Sequence, residues 1–256
     1  MVNSQISVDK TEAIADGIDL IFATVVLRDG ANNPLPGKTV VLTTEDRGLY
    51  YDLAQITDVN GEAGIAFVGT ASGTKTIKAF NVTDRGWVNG SSVIQFSPGE
   101  ISSTKSRLFV PDDKTFAYVG YTLSVYLKAI DIWGNPITGQ EIEFLSNRMD
   151  DVLGQPIGGD GEGVHTGKIS SDYEGISIVT ARTIVGGIDV GEAKEITFYR
   201  AGDTNFDQSV DLTDISILVY NYGKEGGDIV NTWTDINKDG VVDLTDISIM
   251  IYHYDG

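Results

Sequence analysis

The chain has 256 residues, room for about two or three domains, and carries a net charge of −19 from 18 basic and 37 acidic side chains. That balance excludes nucleic acid, whose phosphates need clustered Lys and Arg, and it excludes an anionic membrane surface. The absence of cysteine rules out disulfides, thiolate zinc sites and cysteine nucleophiles.

The opening MVNSQISVDK lacks the apolar segment of a signal peptide. Export would therefore make this chain a mature form or a fragment. The longest apolar runs, such as Leu20–Leu27, are far below the ~18–20 residues of a membrane span, so no membrane insertion is expected. Charge is unevenly spread: net −4 over residues 1–98, −6 over 99–200 and −9 over 201–256. SPGE at Ser97 and YRAGD at Tyr199 supply joints, so three domains are expected with those boundaries.

The first two segments read as strands. Ile18–Leu27 is apolar on both faces, as in the middle of a sandwich. YTLSVYLKAID places Leu123, Val125, Leu127 and Ala129 on one face, and EIEFL does the same with Ile142 and Phe144. Turn signals recur at NNPLPG, DVNG, GNPITG and DYEG. No helical periodicity interrupts them before position 201. The expected class is mainly β, with two β-sandwiches of ~100 residues each.

The two runs repeat each other. Asp29-x-x-x-Asn33-Pro34-x-x-Gly37 matches Asp131-x-x-x-Asn135-Pro136-x-x-Gly139 at an offset of 102. Asp58-x-x-Gly61 is paired with Asp172-x-x-Gly175 at an offset of 114, which predicts a loop insertion near 147–165 in the second copy. D-x-x-x-N-P-x-x-G followed by T-D-x-x-G resembles the bacterial immunoglobulin-like domains of invasin/intimin-type surface proteins. That resemblance implies immunoglobulin-like sandwiches serving as spacers or stalk units at a cell surface.

The last segment writes DTNFDQSVDLTD and, 32 residues on, DINKDGVVDLTD. Oxygen-bearing side chains fall at loop positions 1, 3, 5, 9 and 12: Asp203, Asn205, Asp207, Asp211 and Asp214, then Asp235, Asn237, Asp239, Asp243 and Asp246. This is the spacing of an EF-hand-type calcium loop, with the position-7 carbonyls of Ser209 and Val241 as further oxygens. Gly240 suits the tight turn at position 6, whereas Gln208 must take positive φ with a side chain. Asp211 and Asp243 are placed to cap following helices, with Asp214 and Asp246 completing capping boxes. On those helices Ile215, Leu218, Val219 and Tyr222, and then Ile247, Met250, Ile251 and Tyr254, share an inward face. Val210 and Val242 are placed to join the two loops as a short two-stranded contact.

Two such loop-then-helix units, opening on G-D-x-N at Gly202, resemble a dockerin domain over residues 202–254. The departures are Gln208 and the short Gly-rich linker Gly223–Asp228. The resemblance implies two calcium ions, calcium-dependent folding, and docking to a cohesin-like protein. Helical spacing sets Leu212, Thr213, Ile217 and Tyr220, and likewise Leu244, Thr245, Ile249 and Tyr252, on a second face. In dockerins loop positions 10 and 11, here Leu212–Thr213 and Leu244–Thr245, and the helix that follows carry partner contacts. The alternative is that Ile217 and Ile249 pack on the chain's own second sandwich.

No catalytic constellation emerges, and a non-enzyme is expected. His165 reads as a solvated loop histidine. The acidic stretch Asp150–Gly163 matches no calcium template. Trp87 and Trp133 lie in turns and offer faces for a surface glycan. The expectation is an extracellular or cell-surface protein: spacer sandwiches carrying a calcium-dependent docking module. Its rivals are an adhesin stalk whose module is only structural, and the non-catalytic tail of a polysaccharide-degrading enzyme.

Overall fold

The computed structural model describes residues 3–255; Met1, Val2 and Gly256, at the outer ends of the first and last expected domains, lie outside the described residues. The chain forms two compact units. One contains the residues up to Ser106 together with Ala129–Ile137, and the other contains Arg107–Lys128 and the residues from Thr138 onward.

In the first unit, β1 (Gln5–Val8), β3 (Ile21–Val26), β7 (Glu62–Gly69) and β5 (Leu49–Tyr51) make one sheet in that order. The other sheet runs β2 (Glu12–Ile14), β10 (Ser92–Ser97), β8 (Gly73–Asn81), β4 (Thr39–Thr43) and β6 (Gln55–Ile56), with β9 (Gly86–Trp87) beside β8. Among the described strand pairs of this unit, only β2–β10 is parallel. Alternation supplies the core: Ala63, Ile65 and Phe67 from β7 meet Ile77 and Ala79 from β8 and Ile94 and Phe96 from β10. Each large apolar side chain buried this way contributes roughly 1.5–3 kcal/mol. The Ile18–Leu27 stretch is not buried on both faces. Ile21, Ala23 and Val25 are buried, while Ile18, Leu20 and Phe22 are exposed, because β3 has core on one side only.

The second unit repeats this plan. Its sheets are β11 (Arg107–Phe109), β13 (Leu123–Lys128), β16 (Val164–Ser171), β15 (Asp151–Leu153), and β12 (Phe116–Tyr118), β18 (Lys194–Tyr199), β17 (Gly175–Thr183), β14 (Ile142–Ser146). Again the first strand of the second sheet, β12, pairs in parallel with the last, β18. The architecture is thus mainly β, with immunoglobulin-like sandwiches and two short helices, α1 (Leu212–Asn221) and α2 (Leu244–Tyr252).

Strand starts correct the expected insertion. β7 and β16 begin at 62 and 164, β8 and β17 at 73 and 175, β10 and β18 at 92 and 194, each an offset of 102. The partner of Asp58–Gly61 is therefore Asp160–Gly163, not Asp172–Gly175, and no extra loop lies at 147–165. The turns agree in their backbone hydrogen bonds to the aspartate. Asp58 Oδ1 accepts the N–H groups of Asn60 and Glu62, and Asp160 Oδ1 accepts those of Glu162 and Val164. Gly61 and Gly163 sit at φ 75° and 74°. With the frame restored, His165 falls inside β16 and is buried, not solvated in a loop.

The D-x-x-x-N-P turn has a stated cause in both copies. Asp29 Oδ1 accepts the N–H groups of Ala31 and Asn33, and its Oδ2 accepts from the Asn33 amide. Asp131 makes the same three bonds to Trp133 and Asn135. The left-handed residue in each is Asn32 or Gly134; Gly37 is also left-handed, at φ 69°.

Candidate metal centre

The acidic repeats fold into two matching loops. Their fourth and sixth positions are left-handed: Phe206 and Gln208 in the first, Lys238 and Gly240 in the second. Gln208 meets the sixth-position requirement with a side chain, at φ 73°. Non-glycine residues tolerate this region at a cost of order 1 kcal/mol, and here the neighbouring carboxylates hold it. Asp203 accepts the N–H groups of Asp207 (3.1 Å) and Gln208 (2.9 Å). Asp235 accepts those of Asp239 (3.1 Å) and Gly240 (3.0 Å).

The twelfth position closes each loop. Asp214, fully buried, accepts from Thr204 N (2.7 Å), Thr204 Oγ1 (3.0 Å), Asn205 N (3.2 Å) and Asp211 N (3.0 Å). Asp246, also fully buried, accepts from Ile236 N (2.7 Å), Asn237 N (3.2 Å) and Asp243 N (2.9 Å). Asp211 and Asp243 turn one oxygen to cap their helices, through Thr213 N and Thr245 N, and both capping boxes are complete. Asn205 and Asn237 donate to Asp207 and Asp239 and accept their N–H groups in return. Ser209 and Val241 occupy the seventh positions, each donating to the fifth-position carboxylate.

In the first loop, Asp203, Asp207 and Asp214 bring carboxylate oxygens within 4.8 Å of one another. No ion pair from Lys or Arg reaches them among the described residues. Burial pushes the Asp203 carboxyl up to about 6, and the charge of Asp214 adds to the shift. A carboxylate cluster with two of its three members buried and no ion pair is electrostatically unsatisfied. Its donors are all hard oxygens, the set suited to calcium and unsuited to zinc or copper. These residues fit a hard divalent cation. The second loop repeats the backbone hydrogen bonds but not the Thr204 hydroxyl bond, since Ile236 stands there. Among the described residues only the first loop forms the three-carboxylate cluster; the second carries a cation at its fourth position. Lys238 lies over the Trp233 ring, 4.6 Å from its centroid, and donates to Thr232 O (2.8 Å).

The expected two-stranded pairing of Val210 with Val242 does not form among the described residues, although both side chains lie in one core cluster. Val210 instead exchanges bonds with Asp255, its N–H donating to the carboxylate (2.8 Å) and its carbonyl accepting from Asp255 N (2.9 Å). Val242 pairs with the segment after α1, through Gly223 N (2.8 Å) and Lys224 O (3.0 Å). Each loop is therefore clasped by the residues that follow the other loop's helix.

The helices are also rotated from the expected face. α1 buries Asp214, Leu218 and Asn221, while Val219 and Tyr222 are exposed; α2 buries Asp246 and Met250, while Ile251 is exposed. Of the proposed partner residues, Leu212, Thr213, Tyr220, Leu244, Thr245 and Tyr252 lie on the surface, with Tyr220 69% and Tyr252 84% exposed. Ile217 and Ile249 are half-buried, and Ile249 packs against the core of the module.

Residues outside the acidic motif complete this core. Tyr118, Tyr121 and Tyr199 of the second sandwich share one cluster with Phe206, Trp233, Val210, Leu218 and Met250. Phe116 meets Phe206 and Trp233 at ring separations of 4.6 and 5.1 Å. Tyr118 donates to the carbonyls of Asp203 (3.2 Å) and Trp233 (3.1 Å), and Tyr121 donates to that of Ile236. Burial, with the charges of Asp203 and Asp214 behind it, pushes the Tyr118 phenol far up, so it stays a donor. Arg200 pairs with both Glu174 and Asp255. The sequence signal for this cluster was the pair of aromatics, Phe206 and Trp233, in and beside loops that otherwise need only oxygens.

Residues 3–97 match the family model of the bacterial Ig-like domain (group 1), and residues 201–253 match that of the dockerin type I domain. Among solved structures, Yersinia pseudotuberculosis InvD is 23% identical with a TM-score of 0.56, over 78% of this chain and 58% of that one. The Escherichia coli adhesin FdeC is 17% identical with a TM-score of 0.51, over 77% of this chain and 64% of that one. The chain thus spans less than two thirds of either relative, and these likenesses concern the fold. It carries a bacterial Ig-like domain and a dockerin type I domain.

Proposed function

We infer that this protein is a non-catalytic, modular extracellular or cell-surface protein whose sandwiches present a calcium-loaded docking module to a cohesin-like partner. The observation that carries the reading is the carboxylate cluster of the first loop, with Asp203 and Asp214 buried, set at the root of a helix whose outer face stays exposed. Calcium would be held by Asp203, Asn205, Asp207 and Asp214 in the first loop and by Asp235, Asn237, Asp239 and Asp246 in the second. The seventh-position carbonyls of Ser209 and Val241 would add to each, and Asp211 and Asp243 would be reached through water. Bound calcium would supply positive charge that the first loop lacks and that the second has only in Lys238. The chain's own residues do the rest: the capping boxes start α1 and α2, and Leu212, Thr213, Tyr220, Leu244, Thr245 and Tyr252 form the partner surface. Bacterial Ig-like and dockerin domains hold and connect rather than catalyse.

A second reading has its own observation. The module shares one core with Tyr118, Tyr121 and Tyr199, so calcium could serve to fasten the end of a stalk. The two are separated by one experiment. Calcium is titrated calorimetrically into the EGTA-stripped chain, with circular dichroism before and after, and the loaded chain is then passed over purified type I cohesins. Two ions, gained helix and EGTA-sensitive capture support docking. Two ions with no capture by any cohesin support the fastening role alone. No calcium uptake removes both readings.

A further inference from the structure

In the first unit, a groove of about 420 Å³ is lined by Thr43, Thr44, Glu45, Asp46, Thr76, Lys78 and Trp87. The strand registers explain its make-up. Thr76 and Lys78 alternate along the outward side of β8; Thr43 of β4 stands opposite Lys78, and Trp87 of β9 stands opposite Phe80. The Trp87 indole is braced edge-on against Phe80, with ring centroids 5.0 Å apart, yet remains 57% exposed. The opposite wall is also fixed. Asp46 accepts the N–H of Thr76 (2.7 Å), and Thr44 Oγ1 donates to Thr76 O (2.9 Å) while accepting from Asp46 N (3.0 Å). Lys78 and Glu45 are exposed and form no ion pair among the described residues.

We propose that this groove binds a neutral pyranose unit of a glycan, stacked on Trp87 and held through its hydroxyls by Lys78, Glu45 and the threonines. An indole with one free face receives the C–H side of a sugar ring, and the polar groups beside it fix orientation. A hydroxyl is both donor and acceptor, which suits a lining that mixes an ammonium, carboxylates and hydroxyls. An anionic polymer would meet Glu45 and Asp46, and an apolar peptide would find no apolar pocket. Trp133, by contrast, is engaged: its Nε1–H donates to Asp16 O (3.1 Å).

The test is calorimetric titration of the full chain with cellohexaose, xylohexaose, mannohexaose and N-acetylchitohexaose, in EGTA and in calcium. The expected result is saturable binding of at least one, equal in both buffers. Trp87→Ala should weaken it about tenfold or more, about 1.4 kcal/mol, and Lys78→Ala several-fold, with unchanged melting of both variants. Binding of none of the four, or binding that survives Trp87→Ala, overturns the proposal. Because the groove lies wholly in the first unit, failure here leaves the calcium and docking reading untouched, and failure there leaves this one standing.

Discussion

The phenol of Tyr118, on β12 of the second sandwich, donates a hydrogen bond to the main-chain carbonyl of Asp203, the first residue of the first acidic loop, at 3.2 Å. The same hydroxyl reaches Trp233 O, and the side chain is fully buried. A sandwich residue thus touches the backbone of a candidate metal ligand directly. Tyr118→Phe keeps the ring and deletes the donor, so it should cost about 1–2 kcal/mol. Calcium affinity of the chain should fall several-fold with it, since the loop loses its support. Denaturant melts in calcium and in EGTA measure both; a variant with unchanged calcium affinity would show that the loops do not sense the sandwich.

Asp214 and Asp207 should behave differently although both belong to one cluster. Asp214→Ala orphans the N–H groups of Thr204, Asn205 and Asp211 in a buried place, a loss of roughly 3 kcal/mol or more. Asp207 is exposed, and Asp207→Asn keeps its shape, so folding should persist while calorimetric stoichiometry drops from two ions to one. Equal destabilisation by the two substitutions would contradict this division between closing the loop and holding the ion.

Acid should loosen the end of α2 through two groups. Burial, and then the charge of Arg200, hold His253 below the usual histidine range. The unfolded chain therefore takes up that proton first, and stability falls as pH drops through about 6.5. Asp255 is held below the usual carboxylate range by the Val210 N–H and by Arg200. Its contribution is present above about 3.9 and is lost as pH falls through its lower folded value. Thermal melts in calcium-free buffer should therefore lose stability below about 6.5, an effect His253→Asn should remove. Asp203, pushed up to about 6, works the other way between there and about 3.9, and the loss through Asp255 follows at lower pH.

Tyr220 and Tyr252 occupy equivalent places on the two helices. As exposed residues, each should change stability by less than about 0.5 kcal/mol on truncation to alanine. If either helix can meet the partner, Tyr220→Ala or Tyr252→Ala alone should retain cohesin capture, and the double substitution should lose it. Surface plasmon resonance with the purified partner decides; a single substitution that abolishes capture would assign docking to one helix only.

Much of this was legible because local chemistry leaves local spelling. The capping boxes, the left-handed Gln208 and the D-x-x-x-N-P turns all follow from side chains bonding to backbone a few residues away. The inner face of α1 was misread for a physical reason. Periodicity counts apolar residues, and two of the three residues α1 buries, Asp214 and Asn221, are polar. Asn221 earns its place by accepting the N–H of Val230 (2.9 Å). The false insertion arose because Asp160-x-x-Gly163 and Asp172-x-x-Gly175 spell the same turn, and only strand pairing selects between them. The aromatic seat of the module was hidden because Trp233 lies 115 positions from Tyr118 and shares no motif with it or with Phe116.

The crossed clasps of the module have a consequence for how it is made. Val210 completes its hydrogen bonding with Asp255, 45 positions later, so on the ribosome the earlier loop must wait, open and charged, for the later one to emerge. The first loop therefore completes its hydrogen bonding only after the second, although it is translated before it.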